Sequence, residues 1–281
     1  MKLSIITVNL NNHEGLRKTI ESVSIQQFSD YEYIIIDGNS KDQSVELIKG
    51  FEERKSVTNF KWISEDDSGV FQAMNKGIRM ACGDYLLFLN SGDFLLDSMA
   101  LSDVFSKDYG ADILCAQCNV TKNGKVQYVS GHIEVHTFRY YYKYSMNHQS
   151  TFIKGDLFNK FGMYREDFKF CSDREFFLRT IILNNCSTEN IQRVICDYNL
   201  EGMSSDEANA QQYLNEVNTI FLNPLLQKFV PDYDLWFREQ HEMIPLYWIK
   251  SQSYLYQPLL IYYRLICFLV NLKKMIFEPK A

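Results

Sequence analysis

Short apolar runs alternate with amphipathic segments along the first hundred residues. Runs rich in β-branched residues predict buried strands, whereas apolar positions three and four residues apart predict helices. We predict strands at 3–8, 31–36, 60–64 and 85–89, and helices that start near residue 12 and cover about 44–53 and 70–81. Strands that alternate with helices favour an α/β fold with a mainly parallel sheet covered on both faces.

The pattern is less regular between about residues 110 and 200. It predicts strands at 111–120, 126–130, 149–154 and 191–198, and a helix across about 173–184. The aromatic-rich stretch 138–144 is typical of half-buried structure, but it could also supply a platform on which a sugar stacks. Cys115 and Cys118 have the spacing of a zinc-binding pair, but no second pair follows, so we interpret their segment as a strand.

The pattern becomes helical from about residue 206. We therefore expect one domain over 1–205, with halves 1–95 and 96–205, followed by a helical extension over 206–281. The apolar segment 254–277 is interrupted by charged residues, and its uncharged runs fall short of the roughly 18–20 residues that span a bilayer. It predicts either a helix in the membrane interface or a core-packed or self-associating helix, and we favour the membrane interface.

Composition narrows the class of protein. The 281 residues are 46% apolar and 15% aromatic, which is enough for a sizeable core. The net charge of −6 argues against a general nucleic-acid binder, which needs a basic face. Seven cysteines without a dense framework indicate free thiols in a reducing compartment. Because the first residues lack the pattern of a signal peptide, we expect a cytoplasmic protein.

Polar residues follow each of the four predicted strands of the first half. They lie in the segments Thr7–Asn9, Asp37–Ser40, Glu65–Asp67 and Asn90–Asp93. In an open α/β sheet, ligands bind beyond the carboxyl ends of the strands. Asp37 and Asp67 are suited to a nucleotide base or ribose, although each also fits a loop or helix cap. The sequence therefore predicts a nucleotide site at this edge of the sheet.

Three further residues are candidates for chemistry. Asp93 offers a hard oxygen ligand for a divalent metal that neutralises a diphosphate, or it caps a turn. Asp173 begins a predicted helix and could deprotonate an acceptor hydroxyl or cap the helix, with Glu175 as its nearest competitor. His148 could be a ligand or an acid–base group, but a lone histidine in a strand-like segment is more often structural.

These segments together resemble the family 2 inverting glycosyltransferases with the GT-A fold. The fold that this resemblance implies is α/β and Rossmann-like, with a mixed, mainly parallel sheet flanked by helices and a helical C-terminal extension. The resemblance runs through about residues 2–200 and is carried by four segments in the family's order and spacing: Ser4–Asn11, Tyr33–Asp42, Glu65–Gly77 and Gly83–Asp93. Where members of the family have Leu-Asp-x-Asp-Asp, this chain has Leu89–Asp93 with a single acid. Metal binding would then be weaker, or it would be completed by the phosphates of the donor and by water.

The resemblance implies a role for each matching residue. The implied nucleoside contacts are Thr7, Asn9, Asp37 and Asp67, with Asn90, Ser91 and Arg179 as further contacts to the nucleotide sugar. Asp93 would hold Mg²⁺ or Mn²⁺, and Asp173 falls where the family places its catalytic base.

The function implied is transfer of a sugar from a nucleotide-diphosphate sugar, with a UDP-sugar favoured. The acceptor would be a glycan or lipid-linked sugar used in bacterial surface-polysaccharide synthesis, at the inner face of the plasma membrane. One alternative is a nucleotidyltransferase, which would need a glycine-rich basic loop where this chain has Asn9–Glu14. Another is a non-catalytic partner subunit, which the reduced metal motif favours. Self-association is left open.

Overall fold

The computed structural model describes residues 1–200 and 207–235. The strands are β1 Leu3–Asn9, β2 Tyr31–Asp37, β3 Phe60–Ser64, β4 Tyr85–Phe88, β5 Phe94–Leu95, β6 Ile113–Lys122, β7 Lys125–Ser130, β8 Thr151–Lys154 and β9 Thr188–Asn199. The helices are α1 His13–Ser24, α2 Ser44–Arg54, α3 Val70–Met80, α4 Ala100–Val104, α5 Phe138–Lys143, α6 Asp156–Phe161, α7 Ser172–Phe177, α8 Ala210–Phe221 and α9 Pro224–Gln227. A 3₁₀ turn covers His148–Ser150, and α7 continues into a π-helical turn, Leu178–Ile182.

Within the described residues, the strands form one curled sheet in the order β3-β2-β1-β4-β8-β6-β9-β5, with β7 paired to β6. Strands β1 to β4 are parallel to one another. Strand β8 then runs antiparallel to both β4 and β6, whereas β9 runs parallel to β6. The predicted parallel arrangement is therefore correct for the first half of the chain, and the second half makes the sheet mixed.

The register of the parallel strands brings three polar residues side by side. Asn9 is the Cα partner of Asp37 across β1 and β2, and Asp37 is the partner of Ser64 across β2 and β3. Parallel strands that start in register also end in register, so their final residues meet at one edge of the sheet. The sheet itself thus assembles the first part of the candidate site.

Helix α3 lies close against the sheet that carries this edge. A Cβ at Gly77 would collide with the side chain of Ile6 in β1, so only glycine allows α3 to approach this closely. The helix buries Phe71, Met74 and Ile78 on its inner face. This packing fixes the loop between β3 and α3, which contains Asp67.

The structure contains elements that the sequence pattern did not predict, namely β5 at the end of the first half and α4, α5 and α6 in the second half. The aromatic-rich stretch forms the short helix α5, which buries Tyr141 and leaves Tyr144 exposed. Cys115 and Cys118 lie in strand β6, as the strand interpretation requires. Burial raises the pKa of the Cys115 thiol to about 12. The described cysteines are all free, and most of them are buried.

The chain divides into two compact units, Met1–Asn223 and a second that starts at Pro224. Helix α8 belongs to the first unit and α9 to the second. Among the described helices, none combines the length and the apolar character that crossing a membrane requires. The apolar segment 254–277 lies outside the described residues. The domain boundaries predicted at 95 and 205 therefore remain predictions.

Candidate active site

A hydrogen-bond cluster at the ends of β1, β2 and β3 surrounds a fully buried carboxylate. Asp37 accepts from Asn9 Nδ2 (2.8 Å), from Ser40 N (2.9 Å) and Oγ (2.6 Å), and from Ser64 Oγ (2.7 Å). We call Asn9, Asp37, Ser40 and Ser64 the strand-end cluster. Because these hydrogen bonds are short and come from three neighbouring segments, the cluster holds the ends of β1, β2 and β3 together around the Asp37 carboxylate.

Asp67 joins this cluster from the loop before α3. A side chain at Gly38 would come within 3.3 Å of Asp67 Oδ2, so the aspartate lies directly over the turn that follows Asp37. Lys76 of α3 holds the loop, since its Nζ forms ion pairs with Asp67 and with Glu65 (2.9 Å) and donates to the Asp66 carbonyl (2.9 Å). The structure thus brings Asn9, Asp37 and Asp67 close together at this edge of the sheet.

Thr7 lies two residues before the end of β1, inside the sheet. Its side chain is fully buried, its hydroxyl donates to the Leu89 carbonyl (2.7 Å), and it lies 3.0 Å from the hydroxyl of Tyr33. These contacts tie β1 to the end of β4 and to β2. Thr7 therefore supports the site from within the sheet and does not line it in this structure.

The loop between β1 and α1 bridges the strand-end cluster to the loop after β4. Asn11 donates its backbone N–H to Ser40 Oγ (2.8 Å), and its side chain accepts from Lys41 N (2.7 Å). Asn12 donates through Nδ2 to the Ser91 carbonyl (3.0 Å) and accepts from Ser91 Oγ (3.2 Å). The loop thereby sets the distance between the two parts of the site.

The segment Asn90–Asp93 is held against helix α1. Thr19 Oγ1 donates to the Asp93 carbonyl (2.7 Å) and accepts from the Gly92 N–H (3.0 Å). Gly92 has φ of +107°, a backbone conformation that favours glycine. The Asp93 side chain is only 7% exposed. This turn gives the single acid of the motif a fixed place at the end of the parallel sheet.

His148 connects this segment to Asp173. Its Nε2 lies 3.2 Å from Asn90 Nδ2, and its Nδ1 lies 3.2 Å from Asp173 Oδ2. We call Asn90, His148 and Asp173 the base cluster. Its members come from the end of β4, the 3₁₀ turn before β8 and the start of α7. The candidate base is therefore one imidazole ring away from the loop that carries Asp93.

The surroundings of His148 raise the pKa of its imidazole. Burial alone would lower the pKa of the imidazole, but the hydrogen bond to Asp173 and the negative charges of Asp173 and Asp93 outweigh it and hold the pKa above the usual 6.5. The ring therefore lies between two carboxylates, Asp173 and Asp93, that the sequence had assigned to separate tasks.

The start of α7 is anchored from two sides. Arg174 donates through its guanidinium to the carbonyls of Tyr141 (2.7 and 2.9 Å) and Tyr142 (2.6 Å) at α5. Glu216 of α8 accepts three backbone N–H groups of the segment 169–171, at 2.8, 2.8 and 3.0 Å. Asp173 lies between these two anchors, so its backbone position depends on α5 and on α8.

Arg179 is engaged away from the strand ends. Its guanidinium binds the Glu175 carboxylate, at 2.8 Å for the shortest contact, and donates to the carbonyls of Phe161, Gly162 and Met163. These contacts join the π-helical turn to the loop after α6. The structure thus does not bring Arg179 to the strand-end cluster, and Glu175 is occupied by Arg179.

A metal at this site would depend on few protein ligands. No group of three or more His, Cys, Asp or Glu side chains among the described residues could hold a metal ion by itself. Asp93 supplies one carboxylate. Mg²⁺ is commonly bound through one or two carboxylates together with substrate phosphates and water. The residues present therefore fit a metal that arrives with a diphosphate, and they do not fit an all-protein metal cage.

Sequence reasoning missed the base cluster as a unit. The sequence offers His148 as a ligand or acid–base group or, more often for such a histidine, a structural residue, and it does not indicate a link to Asp173. No pattern points to Glu216. The available signal was the polar run Asn147–Ser150 directly before an apolar strand. Such a run indicates a turn at the end of the sheet, and a side chain on that turn can face a binding site. Glu216 had no local signal, since its partners lie more than forty residues earlier in the chain.

Comparison with known proteins decides the family. The family model described as glycosyl transferase family 2 matches residues 4–169. This chain belongs to glycosyl transferase family 2. An uncharacterized glycosyltransferase of Mycobacterium tuberculosis is 31% identical over 220 residues, which cover 72% of this chain and 77% of that protein. The Staphylococcus aureus poly(ribitol-phosphate) β-N-acetylglucosaminyltransferase TarP is 33% identical over 128 residues. This stretch covers 44% of this chain and 38% of TarP.

Solved structures show the same fold. S. aureus TarS 1–349 in complex with UDP-GlcNAc superposes with a TM-score of 0.61 at 18% identity, covering 79% of this chain and 67% of that one. The Pyrobaculum calidifontis mannosyltransferase PcManGT, solved with GDP-Man and Mn²⁺, gives 0.58 at 11% identity, covering 99% and 88%. The fold is GT-A-like, and this family 2 member is a glycosyltransferase.

Proposed function

We propose that this glycosyltransferase moves a sugar from a nucleotide-diphosphate sugar to a hydroxyl of an acceptor sugar, and that the transfer inverts the configuration at the anomeric carbon. The observation that carries the proposal is the link Asn90–His148–Asp173, which joins the end of the parallel sheet to an acid on a helix outside it. Donor and base must face each other across one reacting carbon, and this link spans the two sides.

The donor would occupy the carboxyl edge of the parallel strands. Asn9, Asp37 and Asp67 would contact the nucleoside, and Asn90 and Ser91 the diphosphate and sugar. Asn90 Oδ1 supports this placement, because within the described residues it is buried and has no hydrogen-bond partner. Thr7 would act from inside the sheet, and Arg179 by holding the loop after α6. We favour a UDP-sugar, and TarS with UDP-GlcNAc supports this choice.

Asp173 would be the general base. It takes the proton from the acceptor hydroxyl, the oxygen forms a bond to the anomeric carbon, and the bond from that carbon to the diphosphate breaks. The nucleoside diphosphate leaves with the electron pair. Because attack comes from the side opposite the leaving group, the configuration inverts. Asp173 is 15% exposed, so an acceptor can reach it.

A divalent metal, Mg²⁺ or Mn²⁺, would be held by Asp93 together with the donor phosphates. When bound, it would stabilise the negative charge that develops on the leaving diphosphate. The Mn²⁺ in the structure of PcManGT supports a metal in this fold. With one acid at the motif, we expect the protein without donor to bind the metal weakly.

The acceptor we propose is a glycan or lipid-linked sugar of bacterial surface-polysaccharide synthesis. The partial match to TarP, whose name describes transfer to poly(ribitol-phosphate), supports this class. We place the reaction at the inner face of the plasma membrane, with segment 254–277 as a peripheral contact. Size-exclusion chromatography and vesicle flotation of the full chain test self-association and this contact.

Release of nucleoside diphosphate from a panel of sugar nucleotides, with and without Mn²⁺ or Mg²⁺, tests the proposal. We expect one sugar nucleotide to be turned over by the wild-type protein, and Asp93→Ala to lose the stimulation by metal. If no donor is hydrolysed or transferred with any glycan acceptor, the protein acts as a non-catalytic subunit. If Asp93→Ala loses donor binding while metal has no effect on wild type, the acid has a direct structural role.

A further inference from the structure

The His148 side chain is in hydrogen-bond contact with both Asn90 and Asp173. Its side chain is 15% exposed, and it sits on a 3₁₀ turn rather than on a free loop. The Thr151 N–H closes this turn on the His148 carbonyl, directly before β8 enters the sheet. A ring on such a rigid base can hold a fixed direction between the two loops that it contacts.

We propose that His148 is a positioning residue of the transfer reaction, which orients the Asp173 carboxylate through Nδ1 and the Asn90 amide through Nε2. This inference rests on the proposed function, since it needs Asp173 to be the base. It assigns His148 no bond-making step. Its task is to keep the base at a fixed angle to the donor loop while substrates enter and leave.

The two contacts together define the tautomer of the ring. An amide NH₂ only donates, so Asn90 Nδ2 must donate to an unprotonated His148 Nε2. The ring proton is then on Nδ1, from which it can be donated to Asp173 Oδ2. Protonation of Nε2 would require the Asn90 amide to turn its oxygen toward the ring. The neutral ring and the Asn90 orientation therefore support each other.

The second oxygen of Asp173 is also held. Oδ1 accepts the backbone N–H of Arg174 (2.7 Å), at the start of α7. With Oδ2 held by His148, both oxygens have one donor each, and the carboxylate plane cannot rotate freely. Each oxygen keeps a lone pair for the acceptor hydroxyl. A general base must be held in a fixed orientation and must keep a free lone pair that can accept the proton, and Asp173 meets both requirements.

Two conservative variants separate the two hydrogen bonds of the ring. In His148→Asn, the side-chain amide lies near the place of Nδ1 and can still donate to Asp173, but it cannot reach Asn90. In His148→Gln, the longer side chain reaches the place of Nε2 and keeps a partner for Asn90, but loses the donor to Asp173. His132→Gln is the matched control, because His132 is exposed.

We expect His148→Gln to lower kcat about 10- to 100-fold with little change in the donor KM, because a misplaced base costs rate and not binding. The acidic limb of its pH–rate profile moves to higher pH, since a carboxylate that loses a donated hydrogen bond takes up a proton more readily. We expect His148→Asn to keep the acidic limb in place and to raise the donor KM. His132→Gln should match wild type.

The proposal is overturned if the two variants behave alike, or if His148→Gln keeps wild-type kcat and its acidic limb does not move. A purely structural histidine would give equal losses in both variants, in step with a loss of thermal stability. Where a variant folds poorly, long-range ¹H–¹⁵N NMR of the wild-type imidazole decides instead. Nitrogen shifts of an Nδ1–H tautomer at pH 8 support the proposal, and an Nε2–H tautomer contradicts it.

Asp173→Asn, assayed beside these variants, separates this inference from the proposed function. If Asp173→Asn turns over like wild type, Asp173 is not the base and the proposed mechanism fails. If Asp173→Asn is inactive while His148→Gln is unaffected in rate and pH profile, the mechanism stands and only the role of His148 is wrong.

Discussion

The two halves of the site are built by different means. At the donor side, in residues 1–95, strand register alone places Asn9, Asp37 and Ser64 next to one another. At the base side, Asp173 is on a short helix anchored by side chains from a 3₁₀ turn, from α7 and from α8. In a regular sheet, the pairing register fixes the position of every residue along the strands. In irregular segments, each backbone position has to be fixed by its own side-chain contact. The donor side should therefore tolerate changes far away, and the base side should not.

The largest effect we expect is in the chemical step. Asp173→Asn keeps the shape of the side chain but removes the base, so kcat should fall about 10²- to 10⁴-fold. Donor binding, measured by calorimetry, should change little, because the strand-end cluster is untouched. Glu175→Gln is the matched control on the same helical turn, and it loses only the charge that pairs with Arg179. A greater loss in Glu175→Gln than in Asp173→Asn would move the base to Glu175.

On the donor side, Asp37→Ala should damage binding and folding together. It removes the acceptor of the buried Ser40 N–H, at about 1–3 kcal/mol for a buried unsatisfied group. Asn9 Nδ2 loses the same acceptor but keeps Ser40 Oγ, and the exposed Ser64 Oγ can turn to water. Since water can enter the space, we expect about 2–4 kcal/mol of lost unfolding free energy in urea.

The control for this change is Asp66→Ala, because Asp66 is exposed and its carboxylate accepts a hydrogen bond from Asn39 Nδ2, whereas the Lys76 ammonium binds only its backbone carbonyl. We expect less than about 0.5 kcal/mol for it. Equal losses in the two variants would show that the strand-end cluster contributes nothing special to stability.

This contrast also explains how far the sequence could be read. The strands up to β4 follow from continuous apolar runs rich in β-branched residues, and the helices from apolar positions of period 3.6. The meeting of their polar ends follows from the register. The base cluster does not follow from such patterns, because His148 and Asp173 are 25 residues apart and are joined only by packing. The sequence pattern also did not predict that Thr7 is buried within the sheet. A shift of one residue along a strand changes whether a hydroxyl faces the site or the neighbouring strand.

Arg179 shows the same limit from another side. Its position on the helix of Asp173 matched the family, but its contacts depend on the loop after α6. The sequence pattern did not predict α6 at all. The role of a side chain can be inferred from its family only where the segments that it contacts are also predicted.

A smaller effect tests the anchoring of the base side. Glu216→Gln keeps one amide oxygen but loses the negative charge that accepts three backbone N–H groups. We expect about 1–2 kcal/mol of lost stability and faster hydrogen exchange at the amides of Lys169, Phe170 and Cys171. A fall in kcat should accompany it, with donor binding unchanged. Gln212→Ala, at an exposed position of α8, is the control; unchanged exchange in Glu216→Gln would contradict the anchor.

The smallest effect concerns the end of the sheet opposite the donor site, where Glu32 is fully buried beside Ser4. Burial alone would raise the pKa of Glu32, but hydrogen bonds from Lys61 (2.8 Å), Ser4 (2.6 Å) and the Cys82 N–H (2.6 Å) outweigh it and hold the pKa below 4.5. A lowered folded-state pKa stabilises the protein above the unfolded value near 4.5, and this stability is lost as pH falls through the folded pKa.

Glu32→Gln should therefore cost about 1 kcal/mol at pH 7, because Lys61 is half-exposed and solvent screens the pair. Urea unfolding at pH 7 and below pH 4.5 measures this, and the difference from wild type should shrink at the lower pH. Turnover at pH 7 should stay at the wild-type rate, because the register of β1 and β2 is set along their whole length. A variant that loses both stability and turnover would show that the donor side depends on distant parts of its sheet, as the base side depends on α8.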